Sequence, residues 1–185
     1  MKAYLDTSAI LSYFDRSSKF FENTQKLFHF PEMKLFTGMI TVLEMESVIG
    51  RNLASFSLEI DSESKKLYNS LIDKEKIPVI AHYFIKRLAI SIESSSSIEK
   101  CEINEKIYDI YNTFNLAFKL NREMKLRTLD AIQIAFAVEI KIYNKIDLEY
   151  FITNDNIILA HKQEVYQKSR ILPVSTDNLV NLLDI

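Results

Sequence analysis

Apolar residues along this chain change their spacing repeatedly, and each change marks an element. Ala3-Tyr4-Leu5 is an unbroken apolar run that predicts a short buried strand, and Asp6-Thr7-Ser8 follows at once, before the apolar helix start Ala9-Ile10-Leu11. After Ser17-Ser18, residues Phe20, Phe21, Thr24, Leu27 and Phe28 recur at helical spacing until Pro31. Lys34 to Phe36 reads as a second strand. Beyond Thr41, Leu43, Met45, Val48 and Ile49 form the apolar surface of an amphipathic helix that also carries Glu44 and Glu46. Ser62 to Lys76 predicts another helix, with Leu67, Tyr68, Leu71 and Ile72 as its apolar positions.

Pro78 suits the first position of a helix running to about Lys86. Leu88, Ile90 and Ile92 then alternate with Ala89 and Ser91, as in a third strand ending at the serine run 94–97; Ile77 to Ile80 is the alternative place for that strand. The serines, without glycine or basic neighbours, predict a loop rather than a phosphate-binding element. Ile103 to Lys125 predicts one long helix packing through Ile107, Ile110, Tyr111, Phe114, Phe118 and Leu120. The last third alternates cleanly: helix from Thr128 through Val138, strand Tyr150 to Ile152, turn Thr153-Asn154-Asp155, helix Ile157 to Lys162, strand Ile171-Leu172, helix Thr176 to Leu183. Such alternation predicts an α/β fold with a mostly parallel sheet covered by helices.

Composition narrows the function classes. The 185 residues, 48% hydrophobic and 26% charged, suit one globular domain, or a domain carrying an insertion. Two glycines and three prolines disfavour a turn-rich all-β design and leave no glycine-rich phosphate loop. Cys101 stands alone, which excludes a disulfide framework and a cysteine zinc site and suits a reducing cytoplasm. His29, His82 and His161 are far apart, without metal-ligand spacing. No apolar run approaches membrane-spanning length, so a soluble cytoplasmic protein with no membrane partner is expected. The net charge of −2 announces no nucleic-acid binder, and Lys119, Arg122, Lys125 and Arg127 read first as a solvated helix face.

Four acids change this picture. Asp6 ends the first strand, where it serves either as the cap of the next helix or as a ligand-binding carboxylate at the C-terminal edge of a parallel sheet. Glu44 lies early in the helix after the second strand, Asp130 in the first turn of the most apolar helix, and Asp155 just beyond a later strand. Each alone reads as a cap or a surface charge. Parallel topology, however, brings strand C-termini and the following helix N-termini to one edge, so the four can converge despite their separation. Convergence requires a counter-charge, and oxygen-only ligands select a hard ion such as Mg²⁺ or Mn²⁺.

The segments YLDTSAIL, TVLEMESVI, LRTLDAIQIAFA and YFITNDNIILA resemble, in order, the four acidic motifs of PIN-domain nucleases, especially the VapC-type toxins of bacterial and archaeal toxin–antitoxin pairs. The resemblance implies a three-layer α/β/α fold around a parallel sheet of about five strands, with a single PIN-like domain over residues 1–185. It implies that Asp6, Glu44, Asp130 and Asp155 are the catalytic, metal-binding acids of an endoribonuclease that uses Mg²⁺ or Mn²⁺ on an RNA substrate. An antitoxin over the acidic edge and a homodimer are further implications. The chain is longer than most toxins of this kind, and the surplus is assigned to a helix-rich elaboration over roughly 60–102. Glu46 is the alternative to Glu44; two positions along a helix turn a side chain by about 200°, so only one of them faces the cluster. Thr7, Ser8, Thr153 and Asn154 are candidate supporting donors, and Lys125 and Arg127 candidate holders of the RNA backbone. Two rival readings are a catalytically inactive PIN-like module that binds RNA or docks a partner, and an Asp-nucleophile phosphatase of the haloacid-dehalogenase kind. The phosphatase ranks last because Ser8 stands where that chemistry wants a second Asp.

Overall fold

Strand β1 (Lys2–Leu5) is fully paired on both sides, and the rest of the molecule is arranged about it. In the computed structural model, which describes residues 1–56, 60–94, 97–103 and 105–185, it lies at the centre of a five-stranded parallel sheet of order β3-β2-β1-β6-β7. Its neighbours are β2 (Lys34–Gly38) and β6 (Tyr150–Ile152), in a register that sets Tyr4 opposite Phe36 and Phe151. β3 (Ser91–Glu93) and β7 (Leu172–Val174) form the edges.

Alternation along β1 divides the core. Ala3 and Leu5 face a layer built by α1 (Thr7–Phe14), α2 (Phe21–Phe28), α3 (Met39–Arg51), α5 (Asp73–Arg87) and α10 (Thr176–Leu183). Tyr4 faces α6 (Asn112–Met124), α7 (Thr128–Ile142), α8 (Asn156–Ala160) and α9 (Lys162–Ser169) on the other side, and stacks on Phe151 at 5.1 Å. A sheet buried on both faces reads as short continuous apolar runs, which is why β1 and β6 carry no polar alternation. The expected α/β sandwich of five parallel strands is therefore present. Gly38 ends β2 where a β-carbon would meet the Phe136 ring at 2.8 Å, so the absence of a side chain lets α7 close on the sheet.

The middle of the chain departs from the expected pattern. The helix expected over 62–76 is two helices, α4 (Ser62–Ser70) and α5, separated by extended backbone at Leu71 and Ile72. Asp73 and Glu75 favour a new helix N-terminus, and the Glu75 carboxylate accepts the Ile72 N–H at 3.1 Å. Pro78 therefore sits inside α5 rather than at its start. The third strand is β3, near Ile92, and the alternative site Ile77 to Ile80 is helical.

The long helix expected over 103–125 exists only from Asn112 onward. Before it, β4 (Ile98–Ile103) and β5 (Lys106–Tyr111) form an antiparallel hairpin with Cys101 opposite Tyr108 and Glu102 opposite Ile107. Glu105 makes the turn in the left-handed region at φ 64°. Ile107, Ile110, Tyr111 and Phe114 satisfy a spacing of three and four, but isoleucine and tyrosine are also strand formers, and cross-strand pairing decided the outcome. The stretch 60–102, expected to be helix-rich, thus holds β3 and most of β4 as well as helices. Ser95 and Ser96 of the serine run lie outside the described residues. Among the described residues no helix is long and apolar enough to cross a membrane.

Candidate active site

Asp6 leaves β1 with its backbone still in the sheet, its N–H donating to Ile152 O at 3.0 Å. Its side chain caps α1 by accepting from the Thr7 N–H at 2.8 Å, and its second oxygen accepts from Ser8 Oγ and Thr153 Oγ1, each at 2.7 Å. Capping and facing a site are thus compatible roles for one carboxylate. It is 5% exposed. Burial pushes its pKa up to about 6; the Thr153 and Ser8 hydroxyls work against that rise, and the nearby Glu44 charge adds to it.

Glu44 comes from the second turn of α3 and accepts from Thr7 Oγ1 at 2.7 Å and from Gln133 Nε2 at 2.8 Å. Gln133 is itself fixed, because its carbonyl oxygen accepts from the Tyr4 hydroxyl at 2.7 Å and from Thr41 Oγ1 at 2.8 Å. Burial raises the Tyr4 pKa well above the usual phenol value, so its hydroxyl keeps its proton and remains a donor. The chain of bonds from sheet to α7 to α3 therefore orients one acid.

Asp130 stands in the first turn of α7, and Asp155 caps α8 by accepting the Ile157 N–H at 2.8 Å. Arg127, at the N-terminal boundary of α7, bridges them. Its Nε donates to Asp130 Oδ2 at 2.9 Å, and its Nη2 donates to Asp155 Oδ2 and, at 3.5 Å, to Asp130 Oδ1.

All four acids line one open cavity of about 380 Å³, together with Thr7, Ser8 and Arg127 over a floor of Leu11, Val48 and Leu129. It opens at the C-terminal edge of β1 and β6. Glu46 does not line it, and neither does Lys125, which is exposed at the end of α6. Asn154 braces the loop instead: its Nδ2 donates to Ser12 Oγ at 3.1 Å, and its Oδ1 accepts from the Thr176 N–H at 3.2 Å. Gln133, Thr41 and Tyr4 escaped the sequence reading. Gln133 is the one with a visible signal, a lone amide one turn beyond Asp130 on an otherwise apolar helix.

In kind, this donor set fits a hard divalent cation: four carboxylates and several hydroxyls on a concave wall, with no soft ligand. In arrangement, each acid is held by its own donors, and among the described residues no three His, Cys, Asp or Glu side chains are gathered to hold an ion as they stand. Arg127 meanwhile supplies the counter-charge for two of the four.

No known family's sequence model matches the chain, and no curated protein matches it in sequence. In three dimensions the chain is similar to a solved structure, the crystal structure of VapBC2 from Rickettsia felis bound to a DNA fragment from their promoter. The match has a TM-score of 0.53 at 12% identity and covers 95% of this chain and 98% of that one. At this identity the likeness speaks for the fold alone.

Proposed function

We propose that the chain is a divalent-metal-dependent endoribonuclease that hydrolyses RNA phosphodiester bonds and acts as the toxin of a type II toxin–antitoxin pair. The observation that carries this reading is the convergence of Asp6, Glu44, Asp130 and Asp155 on one cavity at the sheet's C-terminal edge. The fold shared with a chain of a VapBC complex supports the antitoxin partnership, and the acidic-motif resemblance supports RNA as substrate and a homodimer as the working form.

Asp6 and Asp130 are the primary ligands in this proposal, with Glu44 and Asp155 completing the set. When bound, Mg²⁺ or Mn²⁺ supplies an activated water and neutralises charge developing on the phosphate and leaving oxygen. The protein's part is positioning. Ser8 and Thr153 aim the Asp6 carboxylate, and Thr7 and Gln133 aim Glu44. Arg127 presents a planar, permanently charged fork at the rim of the cavity, suited to a phosphate oxygen pair. A second reading, the catalytically inactive RNA-binding or partner-docking module, is favoured by the same arginine, because a guanidinium on Asp130 and Asp155 balances part of the acid cluster without any metal.

Metal-stripped protein titrated with Mg²⁺ or Mn²⁺ against RNA, single-stranded DNA and a chromogenic phosphomonoester separates these readings. Metal-dependent internal cleavage of RNA is expected, lost in Asp6→Ala with an unaltered circular dichroism spectrum. No cleavage of RNA at any concentration of either ion would reject the enzyme and leave the module.

A further inference from the structure

We infer that Arg127 is a built-in competitor for the divalent cation, holding Asp130 and Asp155 together through its guanidinium until the ion displaces it. The inference rests on the metal-binding reading of the cavity and concerns how that binding is regulated.

Three observations carry it. The first is bridging: one side chain engages carboxylates from two elements, α7 and the turn after β6, that the proposed ion also needs. An arginine fork and a cation cannot both sit between those oxygens. The second is asymmetry of exposure. The Arg127 side chain is 57% exposed, against 12% for Asp130 and 28% for Asp155, so the guanidinium has open water to swing into while the acids keep to the cavity wall. The third is that the hydrogen-bond partners of its side chain among the described residues are these two carboxylates, so its departure breaks no other side-chain hydrogen bond there. A doubly charged ion that gathers further ligands from Asp6 and Glu44 outcompetes a single guanidinium for these oxygens. Position reinforces the point. Arg127 lies three residues before Asp130 at the boundary of α7, so rotation of its own side chain is enough to release both acids.

Competition of this kind is reciprocal: weakening the arginine's hold on the acids raises their affinity for metal, and bound metal weakens the arginine's hold in turn. The test is Mn²⁺ binding to the metal-stripped full chain, read by loss of the free-ion electron paramagnetic resonance signal, in wild type, Arg127→Gln and Asp6→Asn. Arg127→Gln is expected to bind Mn²⁺ about tenfold more tightly than wild type, within the usual range of coupling between sites. In wild type, the Arg127 Nε–H resonance is expected to move from its ion-paired position as Mg²⁺ is added. Equal or weaker Mn²⁺ binding by a folded Arg127→Gln, or a resonance that saturating Mg²⁺ leaves in place, would overturn the competitor role. Should the variant fail to fold, the wild-type resonance decides. Asp6→Asn separates the two levels of failure. If it abolishes Mn²⁺ binding while Arg127→Gln leaves affinity unchanged, only the arginine's role falls; if no protein binds Mn²⁺ in an Asp6-dependent way, the metal reading falls first.

Discussion

At the carboxylate cavity Asp6, Glu44 and Asp155 are met by donors brought from other elements and Asp130 by the arginine at its own helix start, whereas on the β4–β5 hairpin Ile98, Ile107 and Tyr108 stand 62%, 69% and 46% exposed, on strands that among the described residues pair only with each other. The first region spends buried hydroxyls, an amide and an arginine on holding charge in place. The second leaves apolar side chains in water and is tied down mainly at its root, where Glu99 accepts from Asn115 Nδ2 at 2.8 Å and from the Tyr143 hydroxyl at 3.1 Å. The contrast separates what topology enforces from what it tolerates. A group between two central parallel strands has every neighbour prescribed, while an isolated two-stranded ribbon has few and gains little stability by itself.

Substitutions at the two regions should therefore differ widely in effect. Asp6→Asn lies at the large end: RNA cleavage should fall on the order of a thousandfold, the scale of removing a primary electrostatic group from a site. The same variant should be more stable than wild type in the absence of metal. A carboxyl whose pKa rises from 3.8 to about 6 on folding adds stability that is fully present below its unfolded value and is lost as pH climbs through 6. Asparagine does not titrate, so its advantage in urea denaturation should grow between pH 4 and pH 6 and level off on the order of 2–3 kcal/mol. An advantage that shrinks as pH rises would mean that Asp6 is not buried as described.

Gln133→Leu comes next. It takes away one of the two donors on Glu44 and the acceptor that the Tyr4 and Thr41 hydroxyls share, leaving those two only each other at 3.1 Å, so cleavage should drop about tenfold to a hundredfold. Stability should fall by roughly 1–3 kcal/mol, as expected when buried donors lose their acceptor. A loss of stability with undiminished turnover would show that Glu44 needs no orientation. Smallest is Ile107→Thr on the hairpin, where an exposed strand position should shift stability by no more than about 0.5 kcal/mol and leave cleavage alone. A concentration-dependent loss beyond that would mean the hairpin face is covered in the proposed homodimer, and the contrast between the two regions would close.

Legibility followed the same division. Ala-Tyr-Leu-Asp and Phe-Ile-Thr-Asn-Asp announce strand ends directly, because a charged residue closing a short apolar run has few placements, and α7 is too long and too apolar to be anything but central. Parallel topology then supplied the convergence. The hairpin was missed because Ile107, Ile110 and Tyr111 fit either period, and the choice was made by pairing with a segment on the far side of a turn. The α4–α5 break was missed because apolar spacing runs through it. Arg127 was visible as a cation but not as a bridge, since its second partner is 28 residues away, and Tyr4 gave no hint that its hydroxyl would meet an amide 129 residues later.

The bond from Thr153 to Asp6 joins residues 147 positions apart, and β1 has its second edge paired only once β6 is in place. Contacts of such sequence separation form late, after the local helices. Asp6 and Glu44 therefore have no assembled cavity until α7 and the turn after β6 have joined the sheet, so the four acids come together among the last contacts the fold makes.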